Sequence, residues 1–148
     1  MARSSSKNMA GISSGGCSTG LGIDLVDIAR LEEVFAGREG LVREVFTERE
    51  KEYCLSKKRP WHYFAECLAV KEACLKALGL GLSGLGIDRS LSEVELVVDS
   101  CERPEMILHG WMAKIGARRK ISHWKISVSK SARYALAAVV FRMEPQVS

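Results

Sequence analysis

Long apolar runs are missing from this sequence. No stretch of its 148 residues approaches the roughly 20 apolar positions that a transmembrane helix needs, and the N-terminus has no apolar secretory segment. Membrane contact is therefore not expected, and a cytoplasmic protein is. Close cysteine pairs are missing too. Cys17, Cys54, Cys67, Cys74 and Cys101 lack the spacing of zinc or redox motifs, which predicts free thiols. Cys67 and Cys74 lie seven residues apart, on one face of a helix, where they read as core. The sequence has no Walker-type glycine–lysine loop, no heptad run and no internal repeat of about 20 to 50 residues. Nucleotide hydrolysis of the P-loop kind is therefore not expected. A large charge excess is absent as well: Lys and Arg number 22 against 18 Asp and Glu, a net charge of +4.

What is present is the composition of one globular domain, 47% hydrophobic and 27% charged. Residues 1–19 are rich in Ser and Gly, carry no acid and show no hydrophobic period. They predict a disordered tail before a domain over 20–142, with 143–148 as a second tail. Basic residues cluster at Lys57 to Arg59, at Arg118 to Lys120 and between Lys125 and Arg133, which favours acidic or phosphorylated partners.

From Leu21 the pattern alternates, with Leu21, Ile23 and Leu25 on one face of a half-buried strand and Asp24 on the other. Ile28, Leu31, Val34 and Phe35 recur at helical spacing, with Asp27 at the positive end of that helix. Thr47 and Glu50 form a capping-box pattern before a second helix that runs to Lys58. The strongest helical signal is Tyr63 to Leu78, whose Phe64, Leu68, Leu75 and Leu78 make a stripe that Gly79 is suited to end. Glycines at 81, 84 and 86, with Ser83, predict a loop. Strands are expected at Glu93 to Val98, Trp124 to Ser129 and Tyr134 to Phe141, a short helix at Trp111 to Arg119, and a hairpin turn at Lys130 to Arg133. The sum is an α+β fold, an antiparallel sheet packed on a long central helix.

Two acids stand out. Glu72 lies at the border of the apolar stripe of the long helix, with Lys76 one turn on, and Asp24 lies mid-strand. Taken singly, they read as a Glu72–Lys76 salt bridge and a turn or capping aspartate. Taken together, they converge only where strand and helix pack, and two converging carboxylates suit a magnesium ion that completes its shell with water and substrate phosphates. Lys71, Lys76 and the basic hairpin would then neutralise phosphate. The residues alone thus reach a metal-assisted phosphate site.

The run Gly20-Leu21-Gly22-Ile23-Asp24-Leu25-Val26-Asp27-Ile28, continuing to Arg30, resembles the N-terminal signature of the holo-acyl-carrier-protein synthases. Leu68-Ala69-Val70-Lys71-Glu72-Ala73-Cys74-Leu75-Lys76-Ala77-Leu78-Gly79 resembles the second signature of the same family. Phe46-Thr47-Glu48-Arg49-Glu50 and the segment Glu105 to Gly110 resemble family elements near these, so the likeness runs from about Gly20 to Phe141. The resemblance implies a homotrimer that holds coenzyme A between subunits, with Asp24 and Glu72 as magnesium ligands and Lys76, with Lys71, on the pyrophosphate. It further implies that Arg30, helped by Arg38 and Arg43, meets the acidic helix of an apo acyl carrier protein. The implied reaction is attack of a carrier serine on the β-phosphate of coenzyme A, giving holo-carrier protein and adenosine 3',5'-bisphosphate. Glu72 or a metal-held water would accept the serine proton.

Two departures from the family pattern are visible. The last motif reads Ser127-Val128-Ser129-Lys130, with Lys130 in place of a histidine, so a titrating group is lost while Ser129 and Lys130 keep phosphate-binding chemistry. Cys67-Leu68 stands where the family has arginine and phenylalanine. His62, His109 and His123 do not fill the gap and take no role. Two rival readings follow. One is a structural relative that is weak or inactive because of Lys130. The other is a nucleic-acid-binding module, suggested by the basic clusters with Trp111, Trp124 and Tyr134; it lacks a nucleic-acid motif, and the tryptophans read as core.

Overall fold

The computed structural model describes residues 18–80 and 91–145. In chain order the elements are β1 (Ser18–Asp27), α1 (Ile28–Phe35), α2 (Glu39–Val45), α3 (Glu48–Leu55), α4 (Pro60–Ala77), β2 (Val94–Val98), β3 (Pro104–Leu108), α5 (Gly110–Arg118), β4 (Ile121–Lys130) and β5 (Tyr134–Met143). The local signals act as their chemistry requires. Asp27 caps α1 by accepting from the Arg30 backbone N–H. Thr47 and Glu50 close a reciprocal capping box on α3. Pro60, which lacks an N–H to leave unpaired, starts α4. Gly79, at φ 68°, takes the left-handed conformation that ends it.

The strands form two antiparallel sheets, one of three strands in the order β1-β5-β4 and one of two strands, β2-β3. Helix α4 packs on β1 and β5 with one side and meets α1, α3 and β2 with others. That position explains a difference from the single apolar stripe expected. Phe64, Cys67, Ala69, Val70, Lys71, Ala73, Cys74 and Leu75 are all buried, because α4 is enclosed by neighbours rather than laid on one surface. Two elements carry no periodic sequence signal of their own, α2 and β3.

The alternation along β1 holds, and the side carrying Asp24 is the one that meets the helix. Gly22, Asp24 and Val26 face inward, whereas Leu21, Ile23 and Leu25 stay 60%, 53% and 58% exposed. Leu136 and Val140 of β5, paired with Leu25 and Leu21, extend the same outer apolar face. Alternation fixes which residues share a face; it does not say which face meets the helix.

Smaller corrections concern boundaries and aromatics. Ser18 and Thr19 belong to β1, paired with Met143 and Arg142, so the fold begins inside the expected tail and Met143 belongs to the sheet. Trp111 is 40% exposed on α5 rather than core. Trp124 turns inward, edge-on to Phe141, and donates to the Met106 carbonyl at 3.0 Å, yet remains partly exposed. Cys54, Cys67 and Cys74 are buried thiols. The rest of the expected N-terminal tail, Cys17, the loop at Gly81, Ser83, Gly84 and Gly86, and residues 146–148 lie outside the described residues.

Candidate active site

The site begins with glycine. A Cβ on Gly22 would run into the Ala73 carbonyl oxygen and come within 2.6 Å of the Ala77 nitrogen. Hydrogen at Gly20 and Gly22, opposite alanine-rich α4, lets strand and helix backbones touch. Two residues further along the inward face, this close approach delivers the Asp24 carboxylate to the side of α4 that carries Glu72 and Lys76.

Lys76 Nζ donates to Asp24 Oδ1 at 2.6 Å and to the Ile23 carbonyl at 3.3 Å. The ion pair expected between Glu72 and Lys76 is thus centred on Asp24 instead, because the strand brings an acid nearer than one helical turn does. Asp24 is 7% exposed, and its buried Oδ2 has no hydrogen-bond partner. Glu72 lies beside it. Burial, and then the neighbouring Asp24 carboxylate, push the Glu72 carboxyl up to about 7, with Lys76 acting in the opposite sense. The bond to Asp24 raises the Lys76 ammonium in turn.

Two carboxylates held together against one cation, with a buried oxygen left over, form an oxygen-donor set short of positive charge. Among the described residues no third His, Cys, Asp or Glu joins them. That set fits magnesium, which binds through one or two carboxylates and otherwise keeps water and phosphate oxygens.

Lys71 does not belong to this site. Its ammonium is fully buried, 2.8 Å from Glu50 Oε2 and 2.8 Å from the Leu91 carbonyl, with a third bond to the Val94 carbonyl. The assignment of Lys71 to the pyrophosphate is therefore corrected: one residue along a helix is a 100° turn, so Lys71 and Glu72 face different neighbours.

Lys130 lies on the inner side of β4, where its Nζ is 3.1 Å from Glu66 Oε1 and 3.9 Å from the centre of the Tyr63 ring. There it borders an open cleft of about 490 Å³ that Lys57, Lys58, Arg59 and His62 also line. Lys57 stacks its ammonium on Tyr53 and Tyr63, 4.7 and 5.4 Å from the ring centres. The run Lys57 to Arg59 was visible as a cluster in the sequence, but its meeting with Lys130 across 72 residues was not. Ser129 is exposed and pairs with Leu136 on the outer face, so it projects away from Lys130. Within one chain the two do not converge. Arg30, Arg38 and Arg43 are exposed on or next to α1 and α2, with Arg43 3.5 Å from Glu39.

The sequence profile described as the 4'-phosphopantetheinyl transferase superfamily matches residues 20–139. The chain belongs to that superfamily. Within it the chain is of the holo-acyl-carrier-protein synthase type. Holo-acyl-carrier-protein synthase of Geobacter sulfurreducens is 41% identical over 123 residues, covering 82% of this chain and 94% of the relative. Among solved structures, the Helicobacter pylori synthase in complex with coenzyme A is 27% identical with a TM-score of 0.69, over 82% of this chain and 98% of that one. The Bacillus anthracis synthase in complex with CoA (3',5'-ADP) is 25% identical with a TM-score of 0.67, over 87% and 100%. The α+β fold expected from the sequence is the fold of these synthases.

Proposed function

We propose that the protein transfers 4'-phosphopantetheine from coenzyme A to a serine of an apo acyl carrier protein, releasing adenosine 3',5'-bisphosphate. The observation that carries this reading is the Asp24–Glu72–Lys76 cluster, with its unpartnered buried carboxylate oxygen. Asp24 and Glu72 would hold a magnesium ion, which would supply positive charge to stabilise the pyrophosphate. Lys76 steadies Asp24 and turns its exposed ammonium to a phosphate oxygen. The serine oxygen forms the new bond to the β-phosphorus, the bond to the adenosine bisphosphate oxygen breaks, and the serine proton leaves to a base. Glu72 or a metal-held water would accept that proton.

The cleft of Lys57, Lys58, Arg59 and Lys130 receives phosphate of the adenosine end of coenzyme A. Here Lys130 replaces the family histidine as a point charge for phosphate rather than as a proton carrier. Arg30, Arg38 and Arg43 supply the basic edge for an acidic carrier protein. The outer face of Leu21, Ile23, Leu25, Leu136 and Val140 packs against other copies of the chain in a homotrimer. Light scattering at three chain masses supports that assembly, and a single chain mass refutes it.

The reaction is tested by intact mass of an apo acyl carrier protein incubated with this protein, coenzyme A and magnesium. A phosphopantetheine-sized gain that a chelator abolishes is expected. No gain over several carrier proteins would replace this reading with that of an inactive relative, and a gain restored by Lys130→His would locate the defect.

A further inference from the structure

The buried lysine of α4 has every donor in use. An ammonium carries three N–H groups, and those of Lys71 go to Glu50 Oε2, the Leu91 carbonyl and the Val94 carbonyl. Its partner is equally occupied. Glu50 Oε1 accepts from the Leu96 backbone N–H at 2.8 Å, and Oε2 also accepts from the Thr47 backbone N–H at 2.9 Å. Thr47 continues the network outward by donating its hydroxyl to Glu95 Oε2 at 2.5 Å, and Glu95 Oε1 meets His109 Nε2 at 3.2 Å. The Lys71 and Glu50 side chains are both 0% exposed. A cation with no unused proton and no path to solvent has nothing to offer a phosphate.

Replacing a buried ion pair by apolar groups is often neutral for stability, so stability alone is a weak reason for this one. Its geometry supplies a better reason. The pair ties α4 to α3 through Glu50 and to the Leu91–Val94 backbone, on the flank of α4 opposed to β1. On the β1 flank, Gly22 against Ala73 and Ala77 fixes the distance between backbones, and the side chain that bonds across the seam is the half-exposed Lys76 on Asp24. A 20° rotation moves a side-chain tip roughly 5 Å from a helix axis by about 2 Å. That is enough to part Glu72 from Asp24.

We infer that Lys71 is a positioning residue for phosphopantetheine transfer: its saturated pairing with Glu50 and with the Leu91 and Val94 carbonyls sets the rotation of α4 that presents Glu72 to Asp24. The inference rests on the proposed transfer reaction for its kinetic readout, and on heat stability for a readout independent of it.

The test compares Glu50→Gln, Lys71→Met and the double variant Glu50→Gln/Lys71→Met, measuring coenzyme A affinity, kcat, KM and the rise in unfolding midpoint caused by magnesium. In Glu50→Gln the lysine keeps both carbonyl partners but loses its counter-charge. Positioning predicts a lower kcat with coenzyme A affinity within about twofold of wild type; a displaced catalytic group costs up to on the order of a hundredfold. A phosphate-binding Lys71, released from Glu50, would instead tighten coenzyme A binding. Lys71→Met strands a buried carboxylate and should lower the unfolding midpoint sharply. In the double variant no buried charge is left without a partner, and the Gln amide oxygen still accepts from Leu96, while the Thr47 N–H bond to the second carboxylate oxygen is lost. This variant should regain stability, the magnesium-induced rise and most of kcat. Loss of coenzyme A affinity in both Lys71→Met and the double variant, with the fold regained, would overturn the inference. If wild type transfers no phosphopantetheine, the magnesium-induced rise still decides the matter: lost in Lys71→Met and regained in the double variant, it supports positioning. Retained in Lys71→Met, it refutes it.

Discussion

Lys71 and Lys76 stand five residues apart on one helix and carry the same charge, yet they do opposite work. Lys71 is enclosed, with three acceptors for three donors. Lys76 has a side chain 54% exposed and gives two donors, to Asp24 and to the Ile23 carbonyl, which leaves one for solvent. A lysine available to substrate is one whose surroundings leave it protons to give. The two seams of α4 differ in the same way: the α3 and β2 side satisfies every polar group described above, and the β1 side leaves Asp24 Oδ2 unpartnered. A fully satisfied seam holds the fold, and an unsatisfied one awaits a ligand.

The strongest way to break this contrast is on the unsatisfied side. Asp24→Ala should lower magnesium-dependent turnover by roughly a hundredfold or more, since the cation's stabilisation of charge amounts to several kcal/mol at about 1.4 kcal/mol per decade. The unfolding midpoint without magnesium should change little by comparison, because the variant removes a carboxylate that is already short of partners. Unfolding on the scale of a core deletion would show that Asp24 is structural.

Gly22→Ala attacks the backbone contact beneath the site. The added methyl group meets main chain rather than a yielding side chain, so about 1–3 kcal/mol of stability should be lost, as in overpacked cores. Denaturant midpoints would measure it. Ile23→Ala, next door on the outer face, should leave the isolated chain's own packing almost unchanged.

The smallest effect is one of pH. The Glu72 carboxyl, raised from 4.5 to about 7 in the folded protein, contributes stability that is fully present below pH 4.5 and is lost as pH rises through 7. Without magnesium, stability should therefore fall across that window, and Glu72→Gln should flatten the fall. The ligand form is the carboxylate, so the rise in unfolding midpoint caused by magnesium should be larger at pH 8 than at pH 6. A rise that is equal at both would remove Glu72 from the ligand set.

Much of this was legible in the sequence, and the limits have physical causes. The cap at Asp27, the capping box at Thr47 and Glu50, and the stop at Gly79 are local, so a few adjacent residues determine them. The pairing of Asp24 with the face of α4 that bears Glu72 and Lys76 could be inferred because both acids break the apolar pattern of their own elements. The fate of Lys71 could not, because its partners lie 21 residues before it in the chain and 20 and 23 after it. Its motif letter is the same whether the side chain meets a phosphate or a glutamate. The basic cleft failed for the same reason, since Lys130 reaches Tyr63 only through β4. The outward turn of Leu21, Ile23 and Leu25 decides what periodicity leaves open. Hydrophobic residues usually mark the inner face, but here glycine does, because the helix approaches too closely for anything larger.

This arrangement gives neighbouring positions of one strand different tolerances for added volume. At 20 and 22 volume decides, and almost every mutation adds some. At 21, 23 and 25 volume is unconstrained by the chain itself, and what limits change is whatever covers the outer face. Successive positions of β1 thus answer to different constraints: the even ones to the helix within the same molecule, the odd ones to nothing in that molecule's own packing.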